Sequence, residues 1–386
     1  MTGDAARGGP IVIIGGGVIG TSIAFHLAER GYRDVTVAER GLPGEGATAR
    51  ATGGIRQQFT SRINAELARR SVDFFRAFSD RTGAPLDFRQ HGYLFLITDP
   101  AQLTAFRDAA AMQNELGIPT EIITAERARD LVPSLRTDDV AGASYCATDG
   151  SASPADAVAG FAAAARRGGV TILQHAPVTA IERDADGHVR GVLAGGRRLP
   201  ADIVVIAAGP QTAEVGRLAG ACLPVEPHRR QAFAIAPMDW LKPEMPLTVD
   251  LASGAYVHPG VSGGVIGGTD RHTPVGTDTA VDWSGLEPLI AALAGRIPAM
   301  ADARVTRGWA GLREMTPDDH AIVGPVPEAG GLWVAAGFSG HGFMQAPAVG
   351  QAVSDWLLDG SPGLDMTPLC PGRFSQHVSG REQVVF

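Results

Sequence analysis

The chain has 386 residues, of which 45% are hydrophobic and 19% charged, and its formal net charge is −8. This length and composition predict a large core in two domains or in one elaborate domain. An acidic chain without a basic block argues against nucleic acid and anionic lipid as partners. No apolar stretch approaches the ~18–20 residues of a membrane span, so we expect no transmembrane segment.

The three cysteines are far apart and form no CxxC pair; they are Cys146, Cys222 and Cys370. This usage argues against a disulfide framework, a zinc ribbon and an iron–sulfur cluster. It therefore predicts no metal site, and a reducing cytoplasm as the compartment. The apolar run Ile11–Ile14 is cut short by glycine, so we expect a buried strand there and not the apolar region of a signal peptide.

The beginning of the chain predicts a strand–helix–strand unit. A strand over Pro10–Ile14, a helix over Val18–Arg30 and a strand over Asp34–Glu39 follow one another. Apolar residues recur at every fourth position from Ile19 to Leu27, which indicates one buried helix face.

Later segments show the same two kinds of pattern. Periodic apolar positions predict helices over Asn64–Ser79, Ala101–Leu116, Pro154–Arg167 and Met344–Leu358. Apolar runs bounded by turn residues predict strands over Gly92–Ile97, Val170–Gln174, Val178–Arg183, Val189–Leu193, Ala201–Ala207 and Leu332–Ala336. Many prolines and glycines in residues 225–307 indicate an antiparallel sheet with long loops. Pieces of a Rossmann-type unit thus lie at the start, middle and end of the chain.

A glycine-rich turn joins the first predicted strand to the first helix. Gly15, Gly17 and Gly20 form a GxGxxG motif, in which the glycines allow a tight turn, close approach of a pyrophosphate and close helix–strand packing. The N-terminus of the helix adds free N–H groups for the phosphates. Glu39 follows nineteen residues after Gly20 and can accept hydrogen bonds from ribose hydroxyls. A turn that binds nothing and an exposed Glu39 are the alternatives.

The loop after Glu39 helps to choose between NAD and FAD. Residues 40–56 are rich in glycine, alanine and threonine. Small side chains are typical of a backbone that passes close to a bulky, flat cofactor, and this favours FAD. The alternative is an ordinary mobile surface loop.

Four motifs together resemble the D-amino-acid-oxidase-type flavoprotein superfamily, and within it sarcosine oxidase, dimethylglycine dehydrogenase, glycine oxidase and bacterial amino-acid dehydrogenase subunits. They are the Gly15–Gly20 turn with Glu39, the loop Ala47–Arg56, the segment Trp309–Asp318 and the segment Gly337–Met344. The resemblance covers nearly the whole chain and implies an α/β fold. A Rossmann-type FAD-binding domain with a glutathione-reductase-like βαβ unit would carry an inserted β-sheet-rich substrate domain. We assign residues 1–85, 146–224 and 308–386 to the FAD-binding domain, and 86–145 and 225–307 to the substrate-binding domain.

The resemblance also implies non-covalent FAD, with Gly337–Met344 around the flavin ring and the following helix N-terminus at its pyrimidine end. Sarcosine oxidase links its flavin to a cysteine where Gly311 stands, and dimethylglycine dehydrogenase to a histidine where Arg50 or its neighbours stand. Arg56 is a further candidate, for flavin contact or for a plain salt bridge. The residues expected at the cofactor are Gly15, Gly17, Val18, Ile19, Gly20, Glu39, Arg40, Thr48, Ala49, Arg50, Gly53, Gly54, Val178, Ala208, Gly209, Gly311, Gly337, Ser339, Gly340, His341, Gly342, Phe343 and Met344.

Arg313 is the main candidate for substrate binding. It stands where similar oxidases place an arginine that holds the substrate carboxylate, and a bidentate pair would orient a small acid. The alternative is a structural arginine that bridges strands or pairs with Asp318 or Asp319. Tyr256 and His258, in the expected substrate sheet, complete the predicted catalytic site. Core packing is the alternative for Tyr256, and a buried neutral histidine bonded to a backbone carbonyl is the alternative for His258.

The resemblance implies hydride transfer from the substrate α-carbon to flavin N5 and an imine product that water hydrolyses. Lys242 is the only lysine and lies away from every motif, and Met344 stands where some relatives bind the carboxylate with lysine. Activation of oxygen would therefore need another cation, such as His258, Arg271 or His341. This favours a dehydrogenase that passes electrons to a quinone, an electron-transfer protein or a partner subunit over an oxidase that uses oxygen.

The leading prediction is an FAD-dependent oxidoreductase that acts on the C–N bond of a small amino acid or of an N-methyl or secondary amine. Two alternatives keep the flavin: a 2-hydroxy-acid dehydrogenase, and an electron-relay subunit of a larger complex. An NAD-dependent dehydrogenase is disfavoured by the single GxGxxG motif and by the segment Gly337–Met344.

Overall fold

Helices and strands alternate along most of the chain. The computed structural model describes residues 9–270, 273–375 and 380–382, so the candidate cation Arg271 lies outside the described residues. The helices are α1 (Val18–Glu29), α2 (Arg62–Arg76), α3 (Phe78–Thr82), α4 (Pro100–Glu115), α5 (Ala125–Leu131), α6 (Pro154–Arg167), α7 (Thr212–Leu218), α8 (Leu286–Arg296) and α9 (Gly342–Asp359). The strands are β1 (Ile11–Ile14), β2 (Val35–Ala38), β3 (Gly54–Ile55), β4 (Tyr93–Ile97), β5 (Thr120–Ile123), β6 (Gly142–Cys146), β7 (Gly150–Ser151), β8 (Thr171–Leu173), β9 (Val178–Arg183), β10 (Val189–Ala194), β11 (Arg197–Pro200), β12 (Ile203–Ile206), β13 (Glu226–Ile235), β14 (Leu247–Asp250), β15 (Tyr256–Gly260), β16 (Gly263–Gly267), β17 (Val305–Met315), β18 (Ile322–Pro325) and β19 (Leu332–Ala336).

A six-stranded sheet is built from the start, middle and end of the chain, in the order β18–β19–β12–β1–β2–β8. The pairs from β19 to β8 are parallel, and β18 joins the edge antiparallel. Ile13 of β1 pairs with Val37 on one side and with Val205 on the other. All residues of β1, β12 and β19 are buried, as the continuous apolar runs predict for strands covered on both faces.

Different layers cover the two faces of this sheet. On one face α1, α6 and α9 contribute Ile23, Phe161 and Val349 to a common core. On the other face the antiparallel strands β9, β10 and β11 form a small sheet, and Val192 packs in one cluster with Val12. The layers leave the carboxyl ends of the parallel strands free to form a binding edge, as expected for a Rossmann-type unit.

The second large sheet has eight strands in the order β17–β13–β16–β15–β14–β4–β6–β5. Its back face is covered by α8, where Leu289 and Leu293 pack with Phe233, Val257 and Ile266. Because side chains alternate along a strand, the residues between these on β13, β15, β16 and β17 lie on the opposite face, which we call the front face. The α/β fold with a Rossmann-type unit and a sheet-rich unit is confirmed.

Two predicted helices differ in their limits. The helix predicted over Asn64–Ser79 is divided into α2 and α3, because Ala77 leaves the helical region with φ −94° and ψ 9°. After this break the ring of Phe78 lies 5.1 Å from that of Phe161, in the core below α6. The last helix begins at Gly342, two residues before the predicted start.

The division of the chain into two domains stays a prediction, and β17 runs across the boundary placed between residues 307 and 308. Within the described residues, no helix is long and apolar enough to cross a membrane. The same residues contain no group of three or more histidine, cysteine, aspartate or glutamate side chains placed to hold a metal ion.

Candidate active site

The turn after β1 brings two strands and a helix into close contact. Gly15 has a φ of 112°, and an added β-carbon there would overlap the carbonyl oxygen of Ala207. An added β-carbon at Gly20 would overlap the carbonyl oxygen of Gly15. Only glycine fits either position without a backbone shift. Gly17 is the N-cap of α1, so the turn has the backbone geometry that pyrophosphate binding needs.

Glu39 follows β2 and lies beside this turn. Its Oε2 accepts a hydrogen bond from the N–H of Gly16 at 2.6 Å, and its Oε1 accepts one from the N–H of Gly41 at 2.8 Å. Each carboxylate oxygen has two acceptor sites, so capacity remains for the hydroxyls of a ribose. The geometry supports the predicted role of Glu39.

The carboxyl ends of four neighbouring strands lie side by side at one edge of the six-stranded sheet. In spatial order they are followed by Glu39 after β2, Gly15 after β1, Ala208 and Gly209 after β12, and Gly337 after β19. Neighbouring strands are about 4.8 Å apart. This is the arrangement of strand ends at which Rossmann-type units bind an extended dinucleotide.

The loop after β2 is held between α1 and the eight-stranded sheet. The N–H of Val18 donates to Oγ1 of Thr48 at 3.2 Å, and Nε1–H of Trp309 donates to the carbonyl of Arg50 at 3.0 Å. An added β-carbon at Gly311 would lie 2.5 Å from Cβ of Arg50, so the loop crosses the sheet at close range. Of the other predicted cofactor residues, Ile19 lies in α1, Arg40, Ala49 and Gly53 lie in this loop, Gly54 begins β3 and Val178 begins β9.

The loop after β19 lies against the strand that carries Arg313. Gly340 has a φ of 97°, and an added β-carbon there would lie 2.7 Å from Nε of Arg313. Ser339 is fully buried, and its N–H donates to the carbonyl of Glu314 at 2.9 Å. The segments Trp309–Asp318 and Gly337–Met344, predicted as separate motifs, are therefore in contact.

Helix α9 begins directly after this loop, and its first turn carries no acidic residue. Its free N–H groups and positive dipole end can therefore stabilise an anion. Phe343 and Met344 are buried in that turn. His341 is buried with its ring 4.9 Å from the ring of Phe59, and its Nε2 has no hydrogen-bond partner in the described part of the chain. Burial, and then the charge of Arg56, hold the pKa of His341 well below its usual range, so it is neutral at pH 7.

Arg313 lies on the front face and is not joined by a hydrogen bond or an ion pair to another of the described residues. Burial lowers its pKa to about 10, so the guanidinium still carries its charge at pH 7. The alternative pairing with Asp318 or Asp319 is wrong. Asp318 accepts from Nε of Arg373 at 2.8 Å, and Asp319 pairs with Arg381. A half-buried cation that makes no ion pair with the described residues is a strong candidate for binding an anionic ligand.

Tyr256 lies on the front face, over a small residue of the next strand. Ala232 pairs with Trp309 on one side and with Gly267 on the other, and Gly267 pairs with Tyr256. An added β-carbon at Gly267 would lie 2.8 Å from the phenol oxygen of Tyr256, so the tyrosine side chain covers this glycine. Burial raises the pKa of Tyr256 to about 12, so its phenol stays protonated and can donate a hydrogen bond.

His258 lies two residues further along β15, on the same face. It lines a cavity of about 500 Å³ that Thr52, Met245 and Leu247 also line. Its Nδ1 is buried and has no hydrogen-bond partner among the described residues. Burial lowers the pKa of His258 to about 4, so it is a neutral group at pH 7 and cannot be the cation that activates oxygen.

The sequence motifs indicated only a minor role for Arg56 and no role for Asp149 or Glu314. Arg56 is buried with its guanidinium 4.1 Å from the ring centroid of Phe59. Asp149 accepts from the N–H of Gln57 at 2.8 Å, and burial raises its pKa to about 6. Glu314 is a buried acid next to the flavin loop. Its place in the motif directly after Arg313 was a signal, but nothing local showed that its carboxylate is buried.

Comparison with known proteins identifies the family. The family model described as DAO, FAD dependent oxidoreductase, matches residues 10–356. Glycine oxidase of Geobacillus kaustophilus (strain HTA426) is 32% identical over 368 residues, which cover 93% of this chain and 95% of that protein. The crystal structure of L-proline dehydrogenase from P. horikoshii superimposes with a TM-score of 0.90 at 34% identity, covering 95% of this chain and 98% of that one.

A further relative is considerably longer than this chain. 4-Methylaminobutanoate oxidase (formaldehyde-forming) of Paenarthrobacter nicotinovorans is 28% identical over 383 residues, which cover 96% of this chain. They cover 46% of the relative, so the chain spans about half the length of that protein. The cradle of glycines, Glu39 and the strand ends fits FAD, and FAD is the cofactor of this family. The chain belongs to the DAO family of FAD-dependent oxidoreductases.

Proposed function

We propose that the protein oxidises the C–N bond of a small amino acid or of an N-methyl or secondary amine, giving an imine that water hydrolyses. The observation that carries the proposal is Arg313, a half-buried cation that makes no ion pair with the described residues and is packed against Gly340 of the loop expected at the flavin. An anionic ligand would supply the charge-assisted hydrogen bonds that this guanidinium lacks within the described residues. The names of the relatives, glycine oxidase, L-proline dehydrogenase and 4-methylaminobutanoate oxidase, all describe amines that carry a carboxylate.

Each side chain of the site has a definite task in this proposal. Arg313 binds the substrate carboxylate through two parallel N–H donors and so fixes the position of the α-carbon. Tyr256, which stays protonated, donates a hydrogen bond to the substrate. FAD, when bound by the cradle, supplies the hydride acceptor. His258 and His341 stay neutral, so they place no second cation next to the substrate amine.

We further propose that the electrons leave to a quinone, an electron-transfer protein or a partner subunit in the cytoplasm. Lys242, the only lysine, is exposed in the loop before β14. The neutral state of His258 and His341 removes two other candidate cations. These observations support a dehydrogenase over an oxidase, and the three separated cysteines support a reducing compartment.

The test is an anaerobic titration of the purified chain, with its visible spectrum recorded after each addition. Amino acids, N-methyl amino acids, proline and 2-hydroxy acids are compared. We expect loss of the flavin band at ~450 nm with a C–N substrate, and slow return of colour in air. Bleaching by 2-hydroxy acids alone would show the second candidate function instead. A chain that holds no flavin even after incubation with FAD would overturn the proposal.

A further inference from the structure

Glu314 is a buried acid at the edge where β12 and β19 end. Its Oε1 accepts a hydrogen bond from the N–H of Phe338 at 3.3 Å. Its Oε2 is buried and has no hydrogen-bond partner among the described residues. An added β-carbon at Gly209 would lie 3.5 Å from this oxygen. Glu314 therefore lies between the loop after β12 and the loop after β19, and one of its oxygens is unused.

The burial of Glu314 is not compensated by a cation. Arg313 is the next residue on β17 and lies on the opposite face, because side chains alternate along a strand. Burial raises the pKa of Glu314 to about 7, although the N–H groups of Phe338 and Gly337 oppose that shift. A buried polar group without a partner is costly, and a ligand is one physical reason for its presence.

We propose that Glu314 is a cofactor-binding residue whose free Oε2 accepts a hydrogen bond from a hydroxyl of the ribityl chain of FAD. The order of the strand ends supports this part of the cofactor. Glu39 follows β2 and suits the ribose, Gly15 follows β1 and suits the pyrophosphate, and Gly337 follows β19 and suits the flavin ring. The ribityl chain lies between the pyrophosphate and the flavin ring in FAD. The part of the edge between the ends of β12 and β19, where Glu314 lies, therefore suits the ribityl chain. The inference rests on the FAD site described above.

The phosphates of FAD do not suit this position. A phosphate would be repelled by a carboxylate, whereas the ribityl hydroxyls are neutral donors. The charged and titratable groups on the elements packed against Glu314 are, on β13, Glu226, His228, Arg229 and Arg230, on β17, Arg307 and Arg313, and after β19, His341. None of them is hydrogen-bonded to Glu314. The turn after β12 carries no titratable group.

A hydroxyl donor favours the ionised form of Glu314, so its pKa must be lower in the FAD complex than in the free protein. FAD binding then releases a proton below pH 7. The affinity for FAD should therefore rise as the pH rises from about 5 to about 7, and then level off.

The experiment is an FAD titration of the apoprotein, followed by quenching of FAD fluorescence between pH 5.5 and 8.5. Glu314→Ala should raise the Kd for FAD about 10- to 100-fold, because a hydrogen bond to a charged group is lost. Glu314→Gln keeps the size of the side chain and should remove the tightening between pH 5.5 and 7. Glu226→Gln, the same change on the exposed neighbouring strand end, should alter neither quantity.

ADP is the second probe, because it contains the ribose and the pyrophosphate but no ribityl chain. Its Kd should be the same in the wild type and in both Glu314 variants. Equal loss of ADP and FAD affinity would overturn the inference and show a general structural role. A Glu314→Ala protein that binds FAD within twofold of the wild type would also overturn it. A wild-type protein that binds no FAD would instead refute the FAD site itself.

Discussion

The edge of the six-stranded sheet and the front face of the eight-stranded sheet differ in how their polar groups are satisfied. At the edge, Glu39 and Thr48 are hydrogen-bonded to backbone N–H groups, and glycines allow close backbone contacts. On the front face, Arg313 has no counter-ion and Nδ1 of His258 has no partner among the described residues. The edge is preorganised by the backbone, whereas the front face has side-chain capacity that a ligand can use.

Because of this difference, substitutions in the two regions should affect different ligands. Substitutions at the edge should change the backbone and weaken cofactor binding. Substitutions on the front face should weaken substrate binding while the flavin stays in place.

The largest effect is expected from Gly20→Val. The side chain would overlap the carbonyl oxygen of Gly15, so the turn cannot form and FAD binding should be lost. Bound flavin, measured as the ratio of visible to ultraviolet absorbance, is the readout. Gly31→Ala is the matched control: Gly31 has a φ of 82° but open space around it, so this variant should lose about 1 kcal/mol of stability and keep its flavin. A yellow Gly20→Val protein would contradict the proposed geometry of the edge.

Arg313→Ala should lower kcat/KM about 100- to 1000-fold and leave the flavin spectrum and the Kd for FAD unchanged. Two charge-assisted hydrogen bonds to the substrate carboxylate are lost, while the cofactor cradle is intact. Arg307→Ala, on the same strand and exposed, serves as the control and should keep its activity. If the Arg313→Ala protein retains kcat/KM, the carboxylate is bound elsewhere.

His258→Gln should change how stability depends on pH. The pKa of His258 is lowered in the folded protein, so the folded state binds fewer protons, and the wild type loses stability as the pH falls from 6.5 towards 4. The variant should lose part of that dependence, since His26 and His341 also titrate below their usual range. Urea midpoints at pH 7 and pH 5 measure it, with the exposed His188→Gln as control. An unchanged pH dependence would mean that His258 is not buried as described.

The smallest effect is expected from Tyr256→Phe. This change removes one neutral hydrogen-bond donor and keeps the aromatic ring, so kcat/KM should fall about 3- to 10-fold. The Kd for FAD should not change. A loss of flavin from this variant would break the separation between the two regions.

Most of the fold and of the cofactor edge could be predicted from the sequence. The GxGxxG turn, the helix after it and Glu39 lie within thirty residues, so their spacing alone brings them together. The continuous apolar run at Ile203–Ile206 indicated a strand buried on both faces. The break at Ala77 was not visible, because no glycine or proline marks it and the packing of Phe78 decides it.

The sequence by itself determined the family, and it predicted the cofactor edge and Arg313 as the substrate residue. Only the tertiary structure decided that Arg313 makes no ion pair with the described residues, that His258 is neutral and that Oε2 of Glu314 is buried without a hydrogen-bond partner among them. The physical reason is that charge state and pairing depend on burial and on strand register. The strands that bring Gly267, Tyr256 and Trp309 together are separated by loops and by whole helices, and nothing in the local pattern of any one strand specifies its neighbours.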